Sequence, residues 1–554
     1  MTGALITGMA WTTALGSDLE AVWQSLLAGA SGVTTVPSAH PLRNDRAAVV
    51  AELPADLDPV ERQYELGART LRAAVADADL DITDPRLRLV VGTSYGSHLD
   101  VPPDGLDRWG EALATGLSLA RRPLMVSTAC SAGSDAVLVG AALLAEGEGE
   151  FCVVGGVDVL TPAKRLGHSA LGTMSPTALR AFDKRHDGTI LGEGAAFLVL
   201  ERPASAQARA ARVRGRLSGA GSANDAAGPT APDPSGDTVV RAVHTALAAA
   251  GRSPDEVGVL NAHGSGTPVN DEVECRAFAS LFTRATSPVV FTTKGAFGHS
   301  LGATGALEAV AVLLALRDRQ VPPVHGLETV MPGFPLPLPT GATALPAAGG
   351  VGLSVTIGFG GFTTCLALEA ATSTGPPVSS DDLLAEAGPG LVTLASTRFV
   401  KATASPPRRR IPSLYADPAS WTVLEAVDEL WAACPDRVRA APEATGMVLV
   451  STHGTADTMV EIADAVPSGR VSPLRFAGAS ASGPISLTSL VHGFRGPTLM
   501  ITSNPATGRP AALAVTRHWL RTGAADHVVI SVHAHDPGRG HEVESVVLGS
   551  EAAR

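Results

Sequence analysis

Lysine is scarce in this 554-residue chain: Lys164, Lys184, Lys294 and Lys401 are the only four among 42 Lys and Arg. Positive charge is drawn from arginine by default, so each lysine marks a place where a compact ammonium is wanted. Aromatic residues make up only 4%, and the core must be built from Ala, Val and Leu. The five cysteines (Cys130, Cys152, Cys275, Cys365 and Cys434) show no CxxC pairing. They form no disulfide framework, and a zinc site or redox dithiol is not expected. A reducing cytoplasm is the simplest setting. The N-terminus, MTGALITGMAWTTALG, lacks the basic region of a signal peptide. The longest strongly apolar helical run, near Ala309 to Leu316, is too short to span a bilayer. A formal net charge of -12 argues against a general nucleic-acid binder.

The chain is 45% apolar and 17% charged, enough to bury a sizeable core. Short apolar runs ended by Gly, Ser or Thr read as strands: Leu5 to Thr7, Leu87 to Val91, Leu124 to Ser127 and Phe151 to Val157. Helices are expected at Leu19 to Leu27, Ser131 to Ala145, Asp237 to Ala250, Asp271 to Phe282 and Leu301 to Leu316. Further strands fall at Val257 to Asn261, Val289 to Thr293, Leu353 to Ile357 and Thr364 to Glu369. The alternation predicts a layered α/β fold. A Ser/Pro/Gly/acid-rich stretch, 373–390, reads as a linker. Beyond it lies a second α/β segment, with strands near Leu391 to Ala395, Met447 to Val450, Leu499 to Thr502 and His527 to Val532. Pro406 to Arg410 reads as a solvated basic loop.

The sequence repeats itself. LMVSTACSAG (124–133) aligns with LMITSNPATG (499–508) at an offset of 375, and the same offset carries Val153-Val154 onto Val528-Val529. Upstream, Thr93 aligns with Thr452, so the second copy is 16 residues longer in between. The extra length falls in a stretch that includes Ser472 to Pro497. Cys130 becomes Pro505, so the second copy has no nucleophile.

Cys130 sits between a strand and the start of a long helix. The free N–H groups and partial positive charge there favour a thiolate. Position alone leaves a nucleophile and a small buried apolar side chain equally open. His263 and His299 each follow a strand and lie in a Gly-rich turn, where a ligand can approach the backbone. A Cys in a third such turn makes this a nucleophilic constellation. Lys294 precedes His299 by five residues and would place a compact charge beside it.

Six motifs now resemble, in order, those of the β-ketoacyl-acyl carrier protein synthases, the ketosynthases of the thiolase superfamily. They are LITGMAWTTALG (5–16), STACSAG (127–133), AFDKRHDGTILGEGA (181–195), AHGSGTPVNDEVE (262–274), TKGAFGHSLGATG (293–305) and GFGG (358–361). The resemblance covers about the first 370 residues. It implies a thiolase-like αβαβα fold of two related halves, 1–250 and 251–372. Residues 391–554 then read as a third, degenerate N-terminal-half-like domain. It also implies that Cys130 takes the acyl chain, and that its N–H and that of Phe359 form an oxyanion hole. His263 and His299 would bind the extender carbonyl, with Lys294 the active-site lysine and Glu274 the carboxylate near it. Phe359 and Gly360 would form the gate, and Asp187 and Thr267 would support the site. No cofactor is implied. Acyl groups would arrive on the phosphopantetheine of a separate carrier protein, since no carrier, acyltransferase or reductase motif is visible.

Several positions depart from the family pattern. His186 stands where the family usually has Arg, and Ser265 where it has Thr. Val355-Thr356-Ile357 replaces Asn-Ser-Phe, and Phe362-Thr363 replaces an Asn after the glycine loop. The segment between Thr93 and Cys130 is shortened, where the family builds its cap and dimer interface. The expectation is that the C-terminal domain docks there as an internal pseudo-dimer partner; the alternative is an ordinary homodimer. Arg121, Arg122, Lys164, Arg165 and the run Arg209 to Arg216 are candidates for a carrier dock. Three activities remain open: decarboxylating condensation, acyl transfer to another nucleophile without decarboxylation, and a non-catalytic partner subunit. Polyketide-like specialised biosynthesis suits the unusual architecture better than primary fatty-acid synthesis.

Overall fold

The computed structural model describes residues 3–283, 287–346, 349–371, 390–406 and 415–550. The expected linker, 373–390, lies outside the described residues except for its last position, as does all but Pro406 of the basic loop.

A fifteen-stranded sheet runs through the molecule and divides into three five-stranded units with one strand order. In the first unit, Ala4–Thr12, Gly194–Glu201 and Phe151–Asp158 run antiparallel in succession; Leu87–Gly92 and Leu124–Val126 then continue parallel. Gly215–Asn224, Phe362–Ala370, Val351–Ile357, Val257–Asn261 and Val289–Phe291 repeat that pattern. Leu391–Lys401, Gly540–Ser550, His527–Asp536, Thr445–Val450 and Thr498–Ile501 repeat it again. This is the layered α/β fold of two related halves plus a third. The boundary expected near residue 250 falls within the second unit, because strand Gly215–Asn224 and helix Asp237–Ala250 belong to it.

Unpolarised helices fill the layer between sheets. Ala132–Ala145 and Thr304–Asp318 are buried around almost their whole circumference, which is why they carry Ala, Leu and Val without a polar face. Their side chains share one core with Ala511, Ala512 and Val515 of helix Pro505–Thr522 in the third unit. At roughly 25 cal/mol per Å2 of apolar surface, this continuous core is the main force joining the three units. No described helix is long and apolar enough to cross a membrane.

The first and third units meet edge to edge, with Val126 antiparallel to Ile501. Ser127 N–H donates to Met500 O (3.0 Å), and Thr502 N–H donates to Met125 O (2.9 Å). Between Val450 and Thr498 the third unit carries helices Ala456–Ala465, Pro473–Gly478 and Gly483–His492. The matching stretch of the first unit carries Arg108–Gly116. The last two helices of the third unit lie against the first two units, where the site is found.

Candidate active site

Cys130 is placed by a tight elbow. Ala129 has φ +53°, a strained value for a residue with a side chain, and it opens a 3-10 turn through Ser131 that leads into helix Ala132–Ala145. Cys130 is buried, and burial pushes its thiol up to about 12. The Lys294 charge and the backbone N–H groups of Phe359 and Cys130 pull the other way. Desolvation therefore outweighs the helix terminus that the sequence reading took to favour a thiolate. The resting group is a thiol.

His263 and His299 face each other with ring centroids 5.3 Å apart and planes at 84°. Ile357 N–H donates to His263 Nδ1 (3.3 Å). Leu301 N–H donates to His299 Nδ1 (3.3 Å), and the Thr304 hydroxyl lies 3.1 Å from the same nitrogen. An N–H can only donate, so both Nδ1 atoms are bare and both protons sit on Nε2. Burial first, then the Lys294 charge, holds both imidazoles well below the ordinary value. The site thus holds two neutral rings, each with a free Nε2–H to donate.

Lys294 is fully buried and bonded to Glu308 at 2.6 Å. Glu274, the carboxylate expected near it, lies within range of its charge but does a different job. Its two oxygens accept the N–H groups of His263 and Gly264 at 2.7 Å, and Asn270 Nδ2 donates at 2.8 Å. Glu274 therefore fixes the turn that presents His263. Glu308 went unnoticed in the sequence because it lies within an apolar helix; one carboxylate in such a run is itself the signal. Asp158 was also missed. It accepts Ser94 N–H and Gly302 N–H (2.9 Å each) and pairs with buried Lys164, tying the three strand ends around the site.

Asp187 accepts from the Ser175 hydroxyl at 2.5 Å, and Thr267 Oγ1 lies 2.9 Å from Ser265 Oγ. Both residues stabilise loops around the site. Between those loops, buried Asp271 accepts from Phe182 N–H (2.7 Å) and Gly266 N–H (3.2 Å) and bonds His186 Nδ1 (3.0 Å). That contact gives the departure at His186 a structural role.

The glycine loop that carries Phe359 and Gly360 is held from three sides. Phe359 is half-buried, its ring centroid 6.0 Å from that of His168. Gly360 has φ +85°, and its N–H donates to Pro229 O (2.9 Å). A methyl group there would collide with the Ser486 hydroxyl of helix Gly483–His492. Phe476, on helix Pro473–Gly478, lies 5.0 Å from His168 and 5.4 Å from Tyr95, and it occupies the space that a side chain at Gly167 would need. Phe362, where the family pattern has a polar residue, is buried in a cluster with Val423, Val427 and Ile485 of the third unit.

Comparison with known proteins gives the family. Residues 113–206 match the β-ketoacyl synthase N-terminal domain and residues 214–328 the β-ketoacyl synthase C-terminal domain. The 3-oxoacyl-(acyl-carrier-protein) synthase 2 of Mycobacterium leprae (strain TN) is 30% identical over 407 residues, 66% of this chain and 95% of that protein. The chain belongs to the β-ketoacyl synthase family. Among solved structures, the ishigamide ketosynthase/chain length factor is 28% identical with a TM-score of 0.62, covering 67% of this chain and 99% of its own. The PfaC keto synthase-chain length factor covers 100% of this synthase-family chain and 79% of its own at a TM-score of 0.80; its 15% identity speaks for the fold alone.

The expected carrier dock does not survive as drawn. Lys164 and Arg165 are buried, the first in its pair with Asp158, the second bonded to the carbonyls of Val36, Pro37 and Asp45. Arg209 is paired with Glu201, and Arg212 and Arg214 with Asp77. Arg121, Arg122 and Arg212 remain exposed, Arg122 paired with Glu111 and Arg212 with Asp77.

Proposed function

We propose that this chain is a β-ketoacyl synthase that joins a Cys130-bound acyl chain to a malonyl-type carrier-protein thioester with loss of CO2. The observation that carries this reading is a pair of neutral Nε2–H donors and a buried thiol that all feel the same buried Lys294 charge. An enolate needs fixed donors in a dry pocket, not a strong base. Cys130 Sγ attacks the incoming thioester carbonyl, losing its proton only as the bond forms, and the carrier thiol leaves. The N–H groups of Cys130 and Phe359 receive the charge on the carbonyl oxygen. The malonyl group then loses CO2, and His263 and His299 hold the enolate oxygen. Its carbon attacks the Cys130 thioester and expels the thiolate, which takes a proton from water to restore the thiol. Burial, and after it the Lys294 charge, keeps both imidazoles uncharged, while Glu308 makes that buried ammonium tolerable.

The test is intact-protein mass spectrometry of wild type and Cys130→Ala with a panel of acyl-carrier thioesters, followed by malonyl-carrier addition and CO2 measurement. An adduct on wild type alone, with CO2 released on extension, is the expected result. Acylation without CO2 release would make this an acyltransferase to another nucleophile. No adduct on either protein would assign the chain to a non-catalytic partner role.

The third unit serves, on our reading, as a built-in partner subunit that caps the site. The edge pairing at Val126 and Ile501, Phe476 against Gly167, Ser486 against Gly360 and the anchor at Phe362 all support this. The acyl groups then come on a separate carrier protein. A chain cut after Thr372 is expected to be insoluble or inactive; a soluble, fully active dimer from it would overturn the built-in partner.

A further inference from the structure

Asp135 lies one turn past the nucleophile, fully buried on helix Ala132–Ala145. Three hydroxyls converge on its carboxylate. The Thr128 and Ser131 hydroxyls donate to Oδ2, the latter at 2.8 Å, and the Thr364 hydroxyl donates to Oδ1. Thr128 and Ser131 bracket Cys130 in the elbow, and the Ser131 hydroxyl also lies 2.8 Å from Thr128 O. Thr364 belongs to a different element, strand Phe362–Ala370, three residues beyond Gly361 of the gate. A second hydroxyl contact joins the same helix to the facing strand, Ser134 Oγ to Thr356 Oγ1 at 2.9 Å. The gate in turn touches the elbow directly: the space beside Gly358 is filled by Thr128 O and by the backbone nitrogens of Cys130 and Ser131.

A carboxylate that only accepts can satisfy three hydroxyl donors at once, two on one oxygen and one on the other. Burial raises its carboxyl to about 6, and the three hydroxyls pull it back toward the ionised form. One side chain therefore fixes the elbow, which carries the Cys130 N–H, relative to the strand that follows the Phe359 N–H. Both N–H groups lower the Cys130 thiol, and the loop that carries Phe359 packs on the elbow at Gly358.

We infer that Asp135 is a positioning residue that sets the spacing of the Cys130 and Phe359 N–H donors, and so governs acyl transfer rather than thiol reactivity. The inference rests on the reading of Cys130 as the acyl acceptor. It separates two reactions of one sulfur. Acyl transfer puts charge on a carbonyl oxygen between those donors, whereas alkylation by iodoacetamide creates no oxyanion.

The experiment compares wild type with Thr364→Val, Thr364→Ser and Asp135→Asn in full-length protein. It reads the rate of Cys130 acylation from an acyl-carrier thioester and the rate of Cys130 alkylation. Thr364→Val is expected to slow acylation at least about tenfold at saturating thioester, with KM unchanged and alkylation within about twofold of wild type. Thr364→Ser, which restores the hydroxyl, is expected to restore the rate. Asp135→Asn is expected to follow Thr364→Val. Parallel loss of both reactions, or acylation as fast as wild type in Thr364→Val, overturns the inference. A wild type that accepts no acyl group sinks the proposed function and this inference together, whereas normal acylation of Thr364→Val sinks only the inference.

Discussion

Glu146 and Arg521 form an ion pair of 2.6 Å across the seam between the first and third units, and they are the same position of the repeat. Val126 and Ile501 stand in the same relation, each facing its own counterpart. The bonds Ser127 to Met500 and Thr502 to Met125 exchange into one another under the same equivalence. A contact in which each position meets its own copy is the signature of a two-fold interface between like subunits. Here the two copies lie on one chain. On the proposed built-in-partner reading this seam takes the place of a second molecule, and the full chain is expected to run as a 56.3 kDa monomer in multi-angle light scattering. A stable dimer pairing through strand Leu124–Val126 would contradict this.

The thiol of Cys130 bears on reactivity and on stability. Burial raises it to about 12, against roughly 8.5 for a free cysteine. Between those values the folded thiol keeps a proton that the unfolded one has released. This group therefore contributes stability below about pH 8.5 that is lost as pH rises toward 12. Iodoacetamide labelling of Cys130 is expected to accelerate about tenfold per pH unit from 6 to 9 without levelling off. A plateau below pH 8 would mean that a thiolate is already present at rest.

Lys294 and Glu308 are both fully buried, and the pair makes each tolerable to the other. Burial lifts Glu308 to about 7 even with Lys294 pulling it back. Lys294→Met strands a carboxylate in the core and is expected to cost about 3–5 kcal/mol, read as a fall in Tm. The double variant Lys294→Met/Glu308→Gln is expected to recover most of that stability while remaining inactive. If the single variant melted like wild type, the pair would carry no such weight.

The chemistry of the site was legible because Cys130, His263 and His299 each lie in a Gly-rich turn at a strand end, a local signal. Helices Leu19–Leu27 and Asp237–Ala250 were legible to the residue because a change of polarity and, for the second, Gly251 mark their limits. Strand Gly215–Asn224 was not. Its glycines depress strand propensity, and they are there because helix Asp237–Ala250 lies so close that a Cβ at Gly219 or Gly221 would strike its backbone. Glu308 was hidden for the opposite reason: its helix is uniformly buried, and no periodicity sets one position apart. Phe476 has no local signature at all. Its meaning lies in Gly167 and His168, more than 300 residues away.

That distant contact yields the sharpest prediction about specificity. The Phe476 ring packs edge-on against His168, and Phe359 packs against the same imidazole. Phe476→Ala removes a fully buried ring and is expected to destabilise the protein by about 3–5 kcal/mol. The space it leaves adjoins the gate, so longer acyl chains are expected to load onto Cys130. Measured as adduct mass across a series of carrier thioesters, the preferred length is expected to move upward by several carbons, with Cys130 still the modified residue. An unchanged preference in a folded Phe476→Ala protein would place the end of the acyl chain elsewhere, and would separate the third unit from any control of what this site accepts.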